Sequence, residues 1–127
     1  MSAKPFRLTP VDPLESERQA GVIRYLQLER RVKFFIRING GGRMIKGVFI
    51  WFYKLFVGNV EQKGKGVSDI VGMLRGGRFF AIEVKRPDEK PTAEQAAFLA
   101  LVREAGGASG VACNWQQAKA IICEETS

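Results

Sequence analysis

No histidine occurs in the 127 residues, and no other feature excludes as much function. Ser-His-Asp and Cys-His nucleophile systems need an imidazole base, as do His-centred nucleases and zinc sites built on His. Chemistry here must run on carboxylates, lysines, amides or hydroxyls. Cysteine is scarce as well. Cys113 and Cys123 match no metal-binding spacing, and both lie in apolar stretches, so they read as small core residues of a reduced protein. No apolar run approaches the ~20 residues of a membrane helix. The longest, Val48 to Val57, is broken by Lys54. No signal-peptide pattern opens the chain, so the sequence predicts a cytoplasmic protein that does not enter a membrane.

Hydrophobic residues make up 46% and charged residues 26%, ordinary values for a globular chain. The length suits one domain with its own core, without disulfides or a structural metal. Residues 1–11 read as a loose tail and 12–124 as that domain. A net charge of +7 points to a polyanionic partner, nucleic acid before an anionic membrane, although a plain basic domain carries the same surplus. The surplus is uneven: residues 1–66 hold 13 basic and 5 acidic side chains, and residues 67–127 hold 7 and 8.

Periodicity predicts the elements. Asp12 caps and Pro13 opens a helix whose apolar stripe (Leu14, Val22, Tyr25, Leu26) runs to about Arg31. Val32, Phe34, Ile36 and Ile38 alternate as in a strand, which Gly40-Gly41-Gly42 ends. Residues 44–58, rich in β-formers and aromatics, predict one or two more strands with alternation too poor to assign a register. Ser68–Leu74 and Arg78–Arg86 form a hairpin, and Pro87–Pro91 is a loop. Thr92 starts a helix to about Ala105, ended by Gly106-Gly107. A short strand Gly110–Cys113 precedes a helix capped by Asn114 and running to about Cys123. This order predicts an α/β domain with a mixed sheet flanked by helices. Phe34, Phe79, Phe80 and Phe98 read as core.

The informative residues surround the hairpin. Glu83 and Lys85, two apart on a strand, project from one face of otherwise apolar β-sequence. Such charge is costly to bury unless it is paired or binds a metal. A plain Glu–Lys ion pair at a sheet edge satisfies that condition, and so does a metal site. The turn decides where Asp69 falls. A two-residue Gly76-Gly77 turn puts it opposite Val84. A three-residue loop, Arg75-Gly76-Gly77, pairs Leu74 with Arg78, and hence Asp69 with Glu83, Ile70 with Ile82, Val71 with Ala81 and Met73 with Phe79. Apolar residues match across the second register, so it is preferred. Two facing carboxylates then need a cation between them. Hard oxygen ligands without His or Cys select Mg2+, with Mn2+ able to substitute.

At these residues the chain resembles the PD-(D/E)xK nuclease superfamily, and more narrowly its virus-type replication-repair nuclease group, the VRR-NUC domain. The matching parts are Glu15 with Gln19, Gly66-Val67-Ser68-Asp69, Ile82-Glu83-Val84-Lys85-Arg86-Pro87, and Thr92-Ala93-Glu94-Gln95. The resemblance implies a restriction-endonuclease-like core and a magnesium-dependent nuclease. Asp69, Glu83 and the Val84 carbonyl would hold the metal, and Lys85 would orient the attacking water. Gln95 would contact Lys85, the water or the phosphate, and Glu15 would point toward the site. Each role has a competitor. Thr92-x-x-Gln95 is also a capping box, and Glu15 also suits the positive end of its helix. Ser68 serves a phosphate or a turn, and Arg86 a phosphate or solvent.

Among the basic residues, Arg37, Arg43, Lys46, Lys63 and Lys65 are the candidates for holding DNA by its phosphates. No zinc finger or helix-turn-helix is present to read bases. The expectation is therefore a DNA endonuclease selective for branched or junction DNA. A non-catalytic DNA-binding module and an RNA-processing nuclease are the rivals. Symmetric cleavage needs two sites, and a homodimer supplies them. The aromatic run Phe49, Trp51, Phe52, Tyr53 and Phe56 offers an interface, or else is covered by the domain's own helices.

Overall fold

A computed structural model describes residues 15–38, 42–51, 53–62 and 66–124. The expected tail, Asp12, Pro13 and Leu14 lie outside these residues, as do Gly40, Gly41, Phe52, Lys63 and Lys65. The elements in chain order are α1 (Glu15–Leu28), β1 (Val32–Arg37), β2 (Gly42–Ile45), β3 (Val48–Trp51), β4 (Phe56–Val57), β5 (Val60–Glu61), β6 (Ile70–Leu74), β7 (Phe79–Val84), α2 (Ala93–Glu104), β8 (Ala108–Ala112) and α3 (Trp115–Ile122).

Four strands form the central sheet in the order β1-β6-β7-β8. The first two pairings are antiparallel and the β7–β8 pairing is parallel, so the sheet is mixed. Helices α1 and α3 pack on one face, where Val22, Leu26, Ile70, Phe80, Ile82, Val84 and Ile122 form the main core. Helix α2 covers the other face, where Leu99 and Val102 meet Ala81. Gly72 has no side chain because there is no room for one. A Cβ there would lie 2.4 Å from the Phe34 carbonyl oxygen and 2.7 Å from the Phe80 ring.

Helix α1 ends at Leu28, three residues before the predicted end. Glu29 turns the chain: its carboxylate accepts the Tyr25 hydroxyl at 2.7 Å and the Arg31 N–H at 3.2 Å, and Val32 N–H donates to Glu29 O. The chain therefore leaves the helix and enters β1. Gly42 opens a strand instead of ending one. The stretch predicted as one or two strands forms two separate ribbons, β2–β3 and β4–β5. The two-residue turn Lys46-Gly47, with φ of 50° and 78°, joins β2 to β3. Gly58-Asn59 joins β4 to β5. Strand β8 starts two residues before the predicted Gly110, because Ala108 and Ser109 already pair with Phe80 and Ala81. Phe80 is fully buried, but Phe34 and Phe79 are exposed, contrary to their reading as core.

Candidate active site

The hairpin register is the one expected from a three-residue loop. Ile70 faces Ile82, Val71 faces Ala81 and Met73 faces Phe79, while Leu74 N–H donates to Arg78 O across the turn. Asp69, just before β6, therefore stands opposite Glu83. Each carboxylate is held by the other strand's backbone: Val84 N–H donates to Asp69 Oδ2 at 2.8 Å, and Asp69 N–H to Glu83 Oε2 at 3.2 Å. The residues before Asp69 set its position. Gly66 has φ of 90°, and a Cβ there would lie 2.5 Å from the Glu94 carbonyl oxygen, so a glycine lets the loop close on the start of α2. Ser68 is completely buried and donates Oγ to Ile70 O at 3.0 Å. It serves the turn and has no surface to offer a phosphate, which corrects its nucleic-acid-binding reading.

Glu83 is 2% exposed and Asp69 is half-buried. Burial raises both carboxyls above their usual range. Glu83 is pushed up to about 8, first by burial and then by the charge of Asp69. Lys85 stands near enough to favour the charged form of each. Its ammonium is mostly buried and lies 4.0 Å from Glu15 Oε1. Glu15 thus reaches the site through Lys85. Among the described residues no group of three or more His, Cys, Asp or Glu is placed to hold a metal. The available donor set is two acidic side chains and neighbouring backbone oxygen. That set of hard oxygens in mutual repulsion fits a divalent cation such as Mg2+ and does not fit zinc.

Helix α2 begins with a complete capping box: Thr92 N–H donates to Gln95 Oε1 at 2.9 Å, and Gln95 N–H to Thr92 Oγ1 at 3.2 Å. The Gln95 carbonyl oxygen is therefore used in the cap. Arg37 donates Nε to Gln19 Oε1 on α1, and its charge favours ionised Asp69. Arg86 pairs with Glu89 at 3.4 Å in the loop after β7. Arg43 and Lys46 are exposed on the β2–β3 ribbon, outside the central sheet. Lys63 and Lys65 fall outside the described residues. The sequence offers Tyr53 only as part of an aromatic interface run and not as a site residue. It is half-buried, and burial and the charge of Glu83 raise its hydroxyl pKa, so it lies within electrostatic reach of the carboxylate pair. A tyrosine in an aromatic run gives no spacing signal for that placement.

The family profile described as the VRR-NUC domain matches residues 43–115, more than half of the chain. The matched stretch contains Asp69, Glu83, Lys85 and Gln95, and Glu15 precedes it. No curated protein and no solved structure matches the chain.

Proposed function

The chain belongs to the VRR-NUC domain family, a nuclease family of PD-(D/E)xK-like fold, and from this premise we propose that it is a metal-dependent DNA endonuclease selective for branched DNA. One observation carries the reading: a buried and a half-buried carboxylate, each pinned by the opposite strand's N–H, face each other beside a mostly buried lysine. Asp69, Glu83 and the Val84 carbonyl would hold Mg2+, or Mn2+ in its place. When bound, the cation polarises the scissile phosphate and makes water more acidic.

The protein's own groups do the positioning. Lys85 orients the attacking water by hydrogen bonding and offsets charge growing on the phosphate oxygens. Water oxygen bonds to phosphorus and gives up a proton to solvent, the ester P–O bond breaks, and the leaving oxygen takes a proton from solvent, so the two transfers balance. Glu15 steadies Lys85. Arg37, steadied by Gln19, meets a flanking phosphate, and the amide nitrogen of Gln95 remains to donate toward the substrate. Arg43, Lys46, Lys63, Lys65 and Arg86 extend the contact with the DNA backbone.

Labelled single-stranded, duplex, flap and four-way-junction DNAs, incubated with Mg2+, Mn2+ or a chelator, test this reading. Cleavage with either metal, fastest on the junction and absent with chelator, is expected. Binding without cleavage under every condition would leave a DNA-binding module instead. Faster cleavage of RNA of the same shape would reassign the substrate.

Cutting both strands symmetrically calls for two sites, so the working form is a homodimer. The β2–β3 ribbon supports it, with Met44 60% and Val48 59% exposed. Light scattering at micromolar concentration should give twice the monomer mass, and Met44→Asp/Val48→Asp should halve it. A monomeric wild type in the presence of junction DNA would leave a single-strand nickase.

A further inference from the structure

The β1–β6 ladder has two ends. Arg37 pairs with Ile70 at the end that carries Asp69, and Val32 pairs with Leu74 at the other. At that far end Arg30, Arg31, Leu74 and Arg75 line a depression of about 590 Å³. Arg30 and Arg31 lie between α1 and β1, and Arg75 lies in the β6–β7 turn. The two turns are tied together: Arg75 N–H donates to Arg31 O at 2.7 Å, and Arg75 Nε donates to Arg30 O. The Arg75 guanidinium is thereby anchored at Nε while its terminal nitrogens stay available.

Charge is unbalanced in this cleft. Arg30 and Arg75 are exposed, and no ion pair among the described residues includes either. Arg31 lies 3.5 Å from Glu29, whose carboxylate already accepts from the Tyr25 hydroxyl. Arg78, nearby in sequence, is used up differently, donating to the carbonyls of Gly106, Gly107 and Glu124. Arg31 Nη1 also donates to Cys123 Sγ at 3.1 Å, so Arg30 and Arg75 are the two guanidiniums left to a ligand in this concavity, and they suit a phosphate because planar N–H forks match its oxygens.

We propose that the Arg30–Arg31–Arg75 cleft is a second phosphate-binding site, which grips the substrate duplex away from the scissile bond. The proposal rests on the nuclease reading and adds where the rest of the DNA lies. Five residues of β6 separate the cleft from the carboxylates, roughly 17 Å at strand rise. That is about half a helical turn of duplex. A substrate extending beyond the cut by more than half a turn touches both sites, and a shorter one touches only the first.

Fluorescence anisotropy in the absence of divalent metal tests it. Two duplexes serve, one reaching a full turn past the cleavage point and one reaching less than half a turn. Arg30→Gln/Arg75→Gln should weaken the long duplex roughly tenfold and make its log–log salt dependence shallower by about 1–2. The short duplex should change less than about twofold. Arg30→Lys/Arg75→Lys, which keeps the charge, should retain most of the salt dependence. An unchanged salt dependence in the Gln variant overturns the proposal. So does equal weakening of both duplexes, or a Lys variant that behaves like the Gln one. Inorganic phosphate at constant ionic strength that stabilises wild type but not the Gln variant, with duplex binding unaffected, would make the cleft a free-anion site and also overturn it. If wild type binds neither duplex yet cuts junction DNA, the cleft proposal falls alone; if it binds neither and cuts no DNA, the nuclease reading falls with it.

Discussion

The β6–β7 and β2–β3 hairpins are built from similar residues, Ile-Val-Gly-Met-Leu with Phe-Phe-Ala-Ile-Glu-Val in one and Gly-Arg-Met-Ile with Val-Phe-Ile-Trp in the other. Their surroundings differ completely. Helices pack on both faces of β7, and Ile70, Leu74, Phe80, Ala81, Ile82 and Val84 are buried. On β2–β3, Met44, Ile45, Val48, Phe49 and Ile50 are all exposed. The proposed chemistry sits on the covered hairpin for a physical reason. Holding two like-charged carboxyls face to face needs strands whose position is over-determined by packing, and a ribbon without a covered face cannot resist that repulsion.

The largest test of this contrast is at the carboxylates. Asp69→Asn or Glu83→Gln should lower cleavage on the order of 10³-fold while DNA binding persists. The same substitutions should raise the thermal midpoint of the metal-free chain at neutral pH and above, because they remove the cost of burying an ionisable carboxyl beside a second one. Lys85→Ala should lower turnover about 10²-fold with affinity nearly unchanged, since its work is in the transition state. Near-normal activity in either carboxylate variant would move the site elsewhere.

Next is packing. Phe80→Ala, at a fully buried position over Gly72, should cost about 3–5 kcal/mol by denaturant titration. A smaller loss would mean that β6–β7 is no better supported than the ribbon.

The pH dependence follows from the raised carboxyls. Between the ordinary glutamate value of 4.5 and about 8, folded metal-free protein keeps a proton on Glu83 that the unfolded chain has released. Its stability should therefore be highest near the acidic end of that window and fall as pH rises through it. Glu83→Gln should flatten the profile in melting curves, and Mg2+ should bind more tightly as pH rises, because binding displaces that proton. A variant with the wild-type slope would show that another group sets it.

The smallest effect belongs to the ribbon. Met44→Asp/Val48→Asp, measured dilute enough to be monomeric, should shift folding stability by no more than about 0.5 kcal/mol. A loss comparable to that of Phe80→Ala would show that the ribbon is part of the domain's own core.

Local patterns with short-range causes were legible. Thr92 with Gln95 and Asn114 with Gln117 are caps whose partners lie three residues away, so both helix starts could be read directly. The pairing of Asp69 with Glu83 was legible because only one loop length matches apolar partners across the whole hairpin. The β2–β3 turn was not. Lys46 adopts the left-handed conformation that Asn or Asp usually supplies, so Lys-Gly carries no turn signal. Phe34 and Phe79 misled because strand alternation shows that two faces differ without showing how far a helix extends over either.

Sequence alone narrowed the available chemistry, since a chain without histidine is left with carboxylates, lysines, amides and hydroxyls, and it put Asp69, Glu83 and Lys85 on one predicted hairpin. It also determined the mixed α/β order and the register, because period, caps and loop length are local properties. Only the tertiary structure decided which side chains meet across elements: Glu15 with Lys85, Gln19 with Arg37, and the two turns that gather Arg30, Arg31 and Arg75. These contacts join residues far apart in the chain, and no periodicity encodes the distance between two helices or two turns until the core has packed.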